Sequence, residues 1–181
     1  VGGDDRLRLF CALLLPSSAV EKLVAWQSRE LASFAGPLRV IAPENLHITL
    51  AFLGSTDASR VPRIADALRA ACAKRESPAL SVLRYRETRS VAMIVFADEE
   101  RRAEKLAERL WEGLERSGLY ERESRRWRPH VTVARFRARP RLSPPVPDLG
   151  RVVLSDAAVM ISRLRPGGAQ YEVLESVSLG G

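Results

Sequence analysis

His47 and His130 are the only histidines in the chain, and each is followed two positions on by a threonine. The tetrads are His47-Ile48-Thr49-Leu50 and His130-Val131-Thr132-Val133, and each opens an apolar run. On an extended strand residues i and i+2 share a side. His47 and Thr49 therefore face one way, as do His130 and Thr132. Ile48, Leu50, Val131 and Val133 face the other way, toward a core. Imidazole, with an ordinary pKa of about 6.5, gives or accepts a proton near neutrality. Two imidazoles flanking one substrate make a base and an acid. Threonine hydroxyls donate to phosphate oxygens. The set fits in-line displacement at phosphorus, with one histidine deprotonating water and the other protonating the leaving oxygen. This chemistry requires no metal and no other cofactor. One histidine at a strand start is often structural. Two in the same pattern, in a chain with no other histidine, point to a site.

From Arg122 to Arg141 there are eight arginines and one acid, Glu123. Such a cluster can hold phosphate by bidentate bonds, or form a basic rim that steers anions. Arg126 and Arg128 precede His130. Strand parity places Arg128 on the face of His130 and Thr132 and turns Arg135 away, so Arg128 and Arg126 are the candidate phosphate ligands. Phe10, Phe52, Trp127 and Phe136 lie in or near these elements, with core packing as their default role and stacking on a base as the alternative; Phe10 is the candidate substrate contact.

The elements that must position these residues are read from periodicity and punctuation. Strands are expected over Arg6–Leu15, Leu38–Ile41, His47–Leu53 (ended by Gly54), Leu80–Tyr85, Val91–Phe96, Val131–Phe136 and Tyr171–Leu179. Val152–Leu164 reads as one or two strands. Amphipathic helices are expected over Ala19–Phe34, Ser59–Lys74 and Asp98–Ser117. Arg137–Gly150, with four prolines, reads as a long loop. Val1–Asp5 reads as a flexible start, and Pro166–Gly168 as a turn. The order gives an α+β or mixed protein. No glycine-rich nucleotide loop is present. The histidine tetrads lie 83 residues apart, each after a helix and a polar segment, which hints at a duplicated lobe.

The 181 residues suffice for one substantial core or two small lobes. The net charge of +7 favours an anionic partner, nucleic acid or a phosphate ester first, although only three of the 29 basic residues are lysine and an arginine-rich surface alone would give the same balance. Cys11 and Cys72 have no metal-binding spacing and read as core thiols of a reducing compartment. The apolar run near the start is too short to span a membrane. The expectation is a cytoplasmic monomer.

The two tetrads resemble the paired His-x-Thr/Ser-x motifs, x hydrophobic, of the 2H phosphoesterases. The stretches RLFCAL, ENLHITLAFLG, RWRPHVTVAR and PGGAQYEVL widen the likeness to RNA 2',3'-cyclic phosphodiesterases, also called 2'-5' RNA ligases, over nearly the whole chain. The resemblance implies one domain, residues 1–181, of two intertwined lobes: two pseudo-symmetric antiparallel sheets around a central cleft, with helices outside. It implies an RNA partner ending in a 2',3'-cyclic phosphate, opened to a 2'-phosphate, with reversible 2'-5' joining as a companion reaction. It gives His47 the role of acid toward O3', His130 that of base toward water, and Thr49 and Thr132 the hold on phosphate, aided by Arg128 or Arg126. Two rivals stand beside it. One is the same chemistry on a small cyclic nucleotide, an ADP-ribose cyclic phosphate or a 2'-5' oligonucleotide. The other is an RNA-end binding module without turnover.

Overall fold

The computed structural model describes residues 6–32, 34, 36–166 and 168–180. The expected flexible start and part of the turn at 166–168 lie outside the described residues. Among the described residues nine strands and three α-helices run in order: β1 Arg6–Leu14, α1 Ser17–Glu30, β2 Leu38–Val40, β3 His47–Asp57, α2 Val61–Cys72, β4 Ala79–Glu87, β5 Val91–Ala97, α3 Arg102–Arg116, β6 His130–Phe136, β7 Val152–Val153, β8 Asp156–Arg165 and β9 Gly168–Ser178.

All pairings are antiparallel, in the order β7-β4-β5-β6-β3-β1-β8-β9, with β2 also on β6. The expected two sheets are two halves of one continuous sheet. One half is β3-β1-β8-β9, the other β6-β5-β4-β7, and they meet where Ile48 pairs with Val131. Each half contains a strand, a helix and then the histidine strand paired back on the first: β1-α1-β3 and β5-α3-β6. The duplication hinted at by spacing is therefore visible in the topology. The last two strands, β8 and β9, return to the first half.

One row of residues across the join fixes the sheet. Leu13, Ile48, Val131 and Ile94 are cross-strand neighbours, and each is 0% exposed. They share one core with the apolar faces of all three helices, through Leu23 and Trp26 of α1, Ile64 and Leu68 of α2, and Leu106 and Leu110 of α3. Fully burying a side chain of this size contributes about 1.5–3 kcal/mol. The helices cover this face, and the opposite face of the join is left for the cleft. Burial pushes the Cys11 thiol up to about 12 and that of Cys72 to about 11, so both are inert core thiols.

Three expectations shift. β3 does not stop at Gly54. That residue takes φ +66 beside a register shift against β1, and a glycine in such a bulge lets the strand continue. α1 ends at Glu30 rather than near Phe34, with the Leu31 N–H bonded back to Gln27. The proline-rich loop is tied down: Glu87 accepts from the backbone N–H groups of Arg141 and Leu142, from Arg139 and from Tyr85, while the Trp26 indole donates to the Pro145 carbonyl. Burial pushes the Glu87 pKa up, but these donors outweigh it and hold the carboxyl below its ordinary range.

Candidate active site

The Ile48–Val131 pair sets the geometry of the site. One position out along antiparallel strands, His47 lies across from Thr132, and Thr49 across from His130. The four side chains form a square on the face opposite the buried row. A pseudo-twofold through the Ile48–Val131 pair exchanges the two tetrads. All four line one cleft of about 480 Å³, together with Arg8, Phe52, Arg135 and Tyr171.

The imidazoles are held alike. Nδ1 of His47 lies 2.8 Å from the Asn45 carbonyl oxygen, and Nδ1 of His130 lies 2.8 Å from that of Arg128. A carbonyl only accepts, so Nδ1 carries the proton on both rings and Nε2 is the working nitrogen. The His47 Nε2 lies 3.1 Å from Thr49 Oγ1. The ring also packs against Phe10 at 4.9 Å and edge-on to Tyr171 at 5.2 Å between centroids. Burial pushes the His47 pKa down to about 4, against the Asn45 bond, and the charges of His130 and Arg135 add to the effect. His47 is therefore neutral at pH 7.

The two tetrads share a feature that simple alternation misses. Against β1, Cys11 pairs with Ala51 and Ala12 with Thr49, so Leu50 is an extra residue. Against β5, Ala92 pairs with Ala134 and Met93 with Thr132, so Val133 is extra. Each tetrad thus ends in a β-bulge, and two successive residues turn to the core: Leu50 with Ala51, and Val133 with Ala134. The bulge flips the parity of the residues beyond it. Phe52 and Arg135, equivalent under the pseudo-twofold, both return to the cleft. The expectation that Arg135 points away is corrected for this reason. The sequence signal is the consecutive apolar pair after each threonine.

The carbonyls released at the bulges are satisfied across the join. Trp111 of α3, in the second half, donates its indole N–H to Leu50 O at 2.9 Å. Gln27 of α1, in the first half, donates its amide to Val133 O at 2.9 Å and to Ile41 O at 3.1 Å. Trp127 donates to Thr49 O at 2.9 Å. Each half thus braces the other half's histidine strand. None of these roles was expected of Gln27 or Trp111, because they depend on contacts far apart in sequence.

The other expected site residues fall differently. Arg128 and Arg126 lie outside the histidine cleft and line a second pocket adjoining it, and Arg126 is drawn to Glu104 at 3.4 Å. Within the arginine-rich segment Arg122 grips Glu115 and lies over the Trp111 ring, while Arg139 binds Glu87. Much of the cluster is therefore structural. Phe10 lines the cleft but is only 3% exposed, its ring taken up by His47 and Tyr171. Phe52, at 48% exposure, is the open aromatic face, with the Arg8 guanidinium 5.1 Å from its ring centroid. Tyr171 was missed because its place beside His47 depends on β9 pairing with β8 and β8 with β1, and the β8–β1 pairing spans most of the chain. Among the described residues no three histidine, cysteine, aspartate or glutamate side chains come together as metal ligands, and no helix is long and apolar enough to cross a membrane.

The family model of the 2'-5' RNA ligase superfamily matches residues 15–165. The chain belongs to this superfamily. Among its relatives in the 2'-5' RNA ligase superfamily is the RNA 2',3'-cyclic phosphodiesterase of Thermus thermophilus, 33% identical over 97% of this chain and 91% of that protein. The RNA 2',3'-cyclic phosphodiesterase of Archaeoglobus fulgidus is 28% identical over 93% of this chain and 98% of its own. The crystal structure of Escherichia coli LigT complexed with NADP+ superposes with a TM-score of 0.81 at 27% identity, covering 98% of this chain and 99% of that one. The superfamily's fold is thus the fold of this chain. The wider resemblance seen in the sequence holds over nearly the whole chain, beyond the two tetrads.

Proposed function

We propose that the chain is a metal-independent RNA 2',3'-cyclic phosphodiesterase acting as one domain. The observation that carries this reading is the square of two imidazoles and two hydroxyls, each imidazole held by an Nδ1–carbonyl bond that leaves Nε2 as the working nitrogen, in a cleft lined by arginine and aromatic side chains. The names of the relatives supply the substrate class. The terminal nucleoside occupies the cleft beside Phe52 and Tyr171, and Thr49, Thr132 and Arg135 hold the cyclic phosphate. His130 takes a proton from water as the new P–O bond forms. The P–O3' bond breaks, His47 protonates O3', and a 2'-phosphate remains.

The low pKa of His47 is set by burial of the ring. An anion bound beside an imidazole favours its charged form, so the substrate's own phosphate recharges the acid. In an NMR titration of the ligand-free protein, His47 should titrate near 4, and saturating inorganic phosphate should move it upward. A midpoint at the ordinary histidine value without ligand would contradict this account. The same proton refusal affects stability. The unfolded chain takes up the proton below about pH 6.5 and the fold does not. Stability fully present above that pH is therefore lost progressively as pH falls toward 4, by about 3 kcal/mol at most.

Thr49→Ala and Thr132→Ala should each lower kcat by about tenfold to a hundredfold with the fold intact, since each removes one hydroxyl aimed at the phosphate. Parent-level kcat in both would remove the hydroxyls from the reaction. The substrate class is tested by comparing kcat/KM for a short RNA ending in a 2',3'-cyclic phosphate with that for a cyclic mononucleotide. Preference for the mononucleotide would move the assignment to small cyclic esters.

A further inference from the structure

The cyclic phosphate at a ribose end carries a single negative charge. The histidine cleft is lined by three arginines, Arg8, Arg39 and Arg135, and among the described residues no aspartate or glutamate lines it. The cleft therefore has more positive charge than the reacting group needs. Arg135 belongs to the reacting square, close enough for its charge to act on His47. Arg39 lies against Gly168 at the start of β9. Arg8 is the surplus cation. It is exposed, with its guanidinium carbon 5.1 Å from the Phe52 ring centroid, and among the described residues it makes no ion pair and no side-chain hydrogen bond. Arg6, two residues before it on β1, is instead held by the Ser55 hydroxyl at 2.9 Å and the Ser55 carbonyl at 2.6 Å.

Strand β1 gives the spacing. Ala12 pairs with Thr49, Phe10 with Phe52 and Arg8 with Ser55, and the extra residues of this pairing all lie on β3, so β1 keeps its parity. Arg8, Phe10 and Ala12 thus share the cleft side, with successive members about 7 Å apart along the strand. Outward from the reacting square the rows run hydroxyl, aromatic, cation: Thr49, then Phe10 and Phe52, then Arg8. A nucleotide has the same order, since its nucleoside lies between the phosphate at its 3' end and the phosphate on its 5'-oxygen. A guanidinium stacked on an aromatic ring keeps its N–H edge available for two parallel bonds to phosphate. We infer that Arg8 seats the phosphate on the 5'-oxygen of the terminal nucleoside, while the cyclic phosphate occupies the square and the nucleoside lies beside Phe52. The inference rests on the two-histidine chemistry proposed for the histidine cleft. Arg8 is then a specificity-determining residue that separates a 5'-phosphorylated end from a bare nucleoside cyclic phosphate. In RNA this phosphate is the diester to the preceding nucleotide, and in a free nucleotide it is a monoester.

The test measures kcat/KM of the full chain for three substrates: adenosine 2',3'-cyclic phosphate, the same compound with a 5'-phosphate, and the adenylyl dinucleotide ending in a 2',3'-cyclic phosphate. In the parent each 5'-substituted substrate should exceed the bare nucleoside by about tenfold, through KM. Arg8→Ala should bring both ratios to near unity, and Arg8→Lys, which keeps the charge, should retain part of each. The logarithmic salt dependence of KM for the dinucleotide should become shallower by about 0.7 in Arg8→Ala. Each ratio is taken within one variant, so a change in the nucleoside's own seat on Phe52 cancels. A ratio lost only for the dinucleotide would assign the seat to the RNA diester, and one lost only for the monoester to free nucleotides; either places a 5'-phosphate on Arg8. Three results would overturn the inference. The first is a parent that hydrolyses all three substrates with no preference for a 5'-phosphate. The second is an Arg8→Ala variant that keeps the parent's preference. The third is an Arg8→Ala variant whose KM rises equally for all three, which would make Arg8 part of the nucleoside seat. A parent that hydrolyses none of the three would instead sink the reading of the histidine cleft, and the Arg8 seat with it.

Discussion

His47→Ala and His130→Ala are each expected to lower kcat for cyclic phosphate opening by about a thousandfold or more while leaving the circular dichroism spectrum and thermal midpoint close to the parent's. General acid or base catalysis by one positioned side chain supplies about 10²–10⁴, and the double variant should lose little beyond either single one, because the groups act as a unit. The fold tolerates the changes because the row that joins the halves, Leu13-Ile48-Val131-Ile94, lies on the other face of the sheet and does not involve either imidazole. The rate comparison is made by single-turnover hydrolysis at pH 7. A variant of either histidine that retains a tenth of the parent rate would remove that histidine from the chemistry.

The second large effect is expected from the braces. Trp111→Phe keeps an aromatic ring near the same place but deletes the side-chain donor to the Leu50 carbonyl, and Gln27→Met does the same for the amide that serves Val133 and Ile41. Losing such a bond costs about 0.5–1.5 kcal/mol where another donor remains, as the Ile41 N–H does for the Val133 carbonyl, and about 1–3 kcal/mol where a buried carbonyl is left unpaired. Each variant should lose stability in the corresponding range by urea unfolding. Each should also lose kcat by about tenfold, since a bulge that relaxes moves the threonine beside it and the cleft residue after it. Because Trp111 and Gln27 each act on the opposite half's bulge, the kcat loss should appear with little change in KM. A KM rise with kcat unchanged would mean that the braces serve substrate binding and not the positioning of the square.

Much of this site was legible in the sequence. The His-x-Thr spacing fixed by strand parity placed both imidazoles and both hydroxyls on one side, and the apolar residues between them formed the buried row as expected. The strands and helices were legible because their periodicity is local. What escaped was of two physical kinds. The first was the bulge, which breaks the period of 2. Leu50-Ala51 and Val133-Ala134 are consecutive apolar pairs where strict alternation allows one residue, and reading them as bulges would have turned Arg135 and Phe52 into the cleft. Strict parity instead favoured Arg128, whose backbone carbonyl orients His130 while its side chain faces the neighbouring pocket. The second kind was long-range pairing. Gln27 and Val133 are 106 residues apart, and Trp111 and Leu50 are 61 apart; no window of sequence contains both partners. Glu87 belongs to the same kind, since the loop it anchors lies more than fifty residues further along the chain.

The arginine-rich segment illustrates the limit of composition as a guide. Charge alone made Arg122 to Arg141 look like one unit, either a phosphate grip or a basic rim that steers anions. In the fold its members divide among Glu115, Glu104 and Glu87, the histidine cleft and the adjoining pocket. The partners of a charge decide whether it is available to a substrate, and those partners sit on α3 and β4, away from the segment itself.

The central claim is two-histidine opening of a cyclic phosphate with O3' as the leaving oxygen. The measurement that tests it most directly is incubation of the purified protein, with chelator present, with a short RNA ending in a 2',3'-cyclic phosphate, and identification of the product's terminal phosphate. The account predicts a 2'-phosphate and a free 3'-hydroxyl, formed at full rate with the chelator. A 3'-phosphate, or product only when a metal ion is restored, would contradict it.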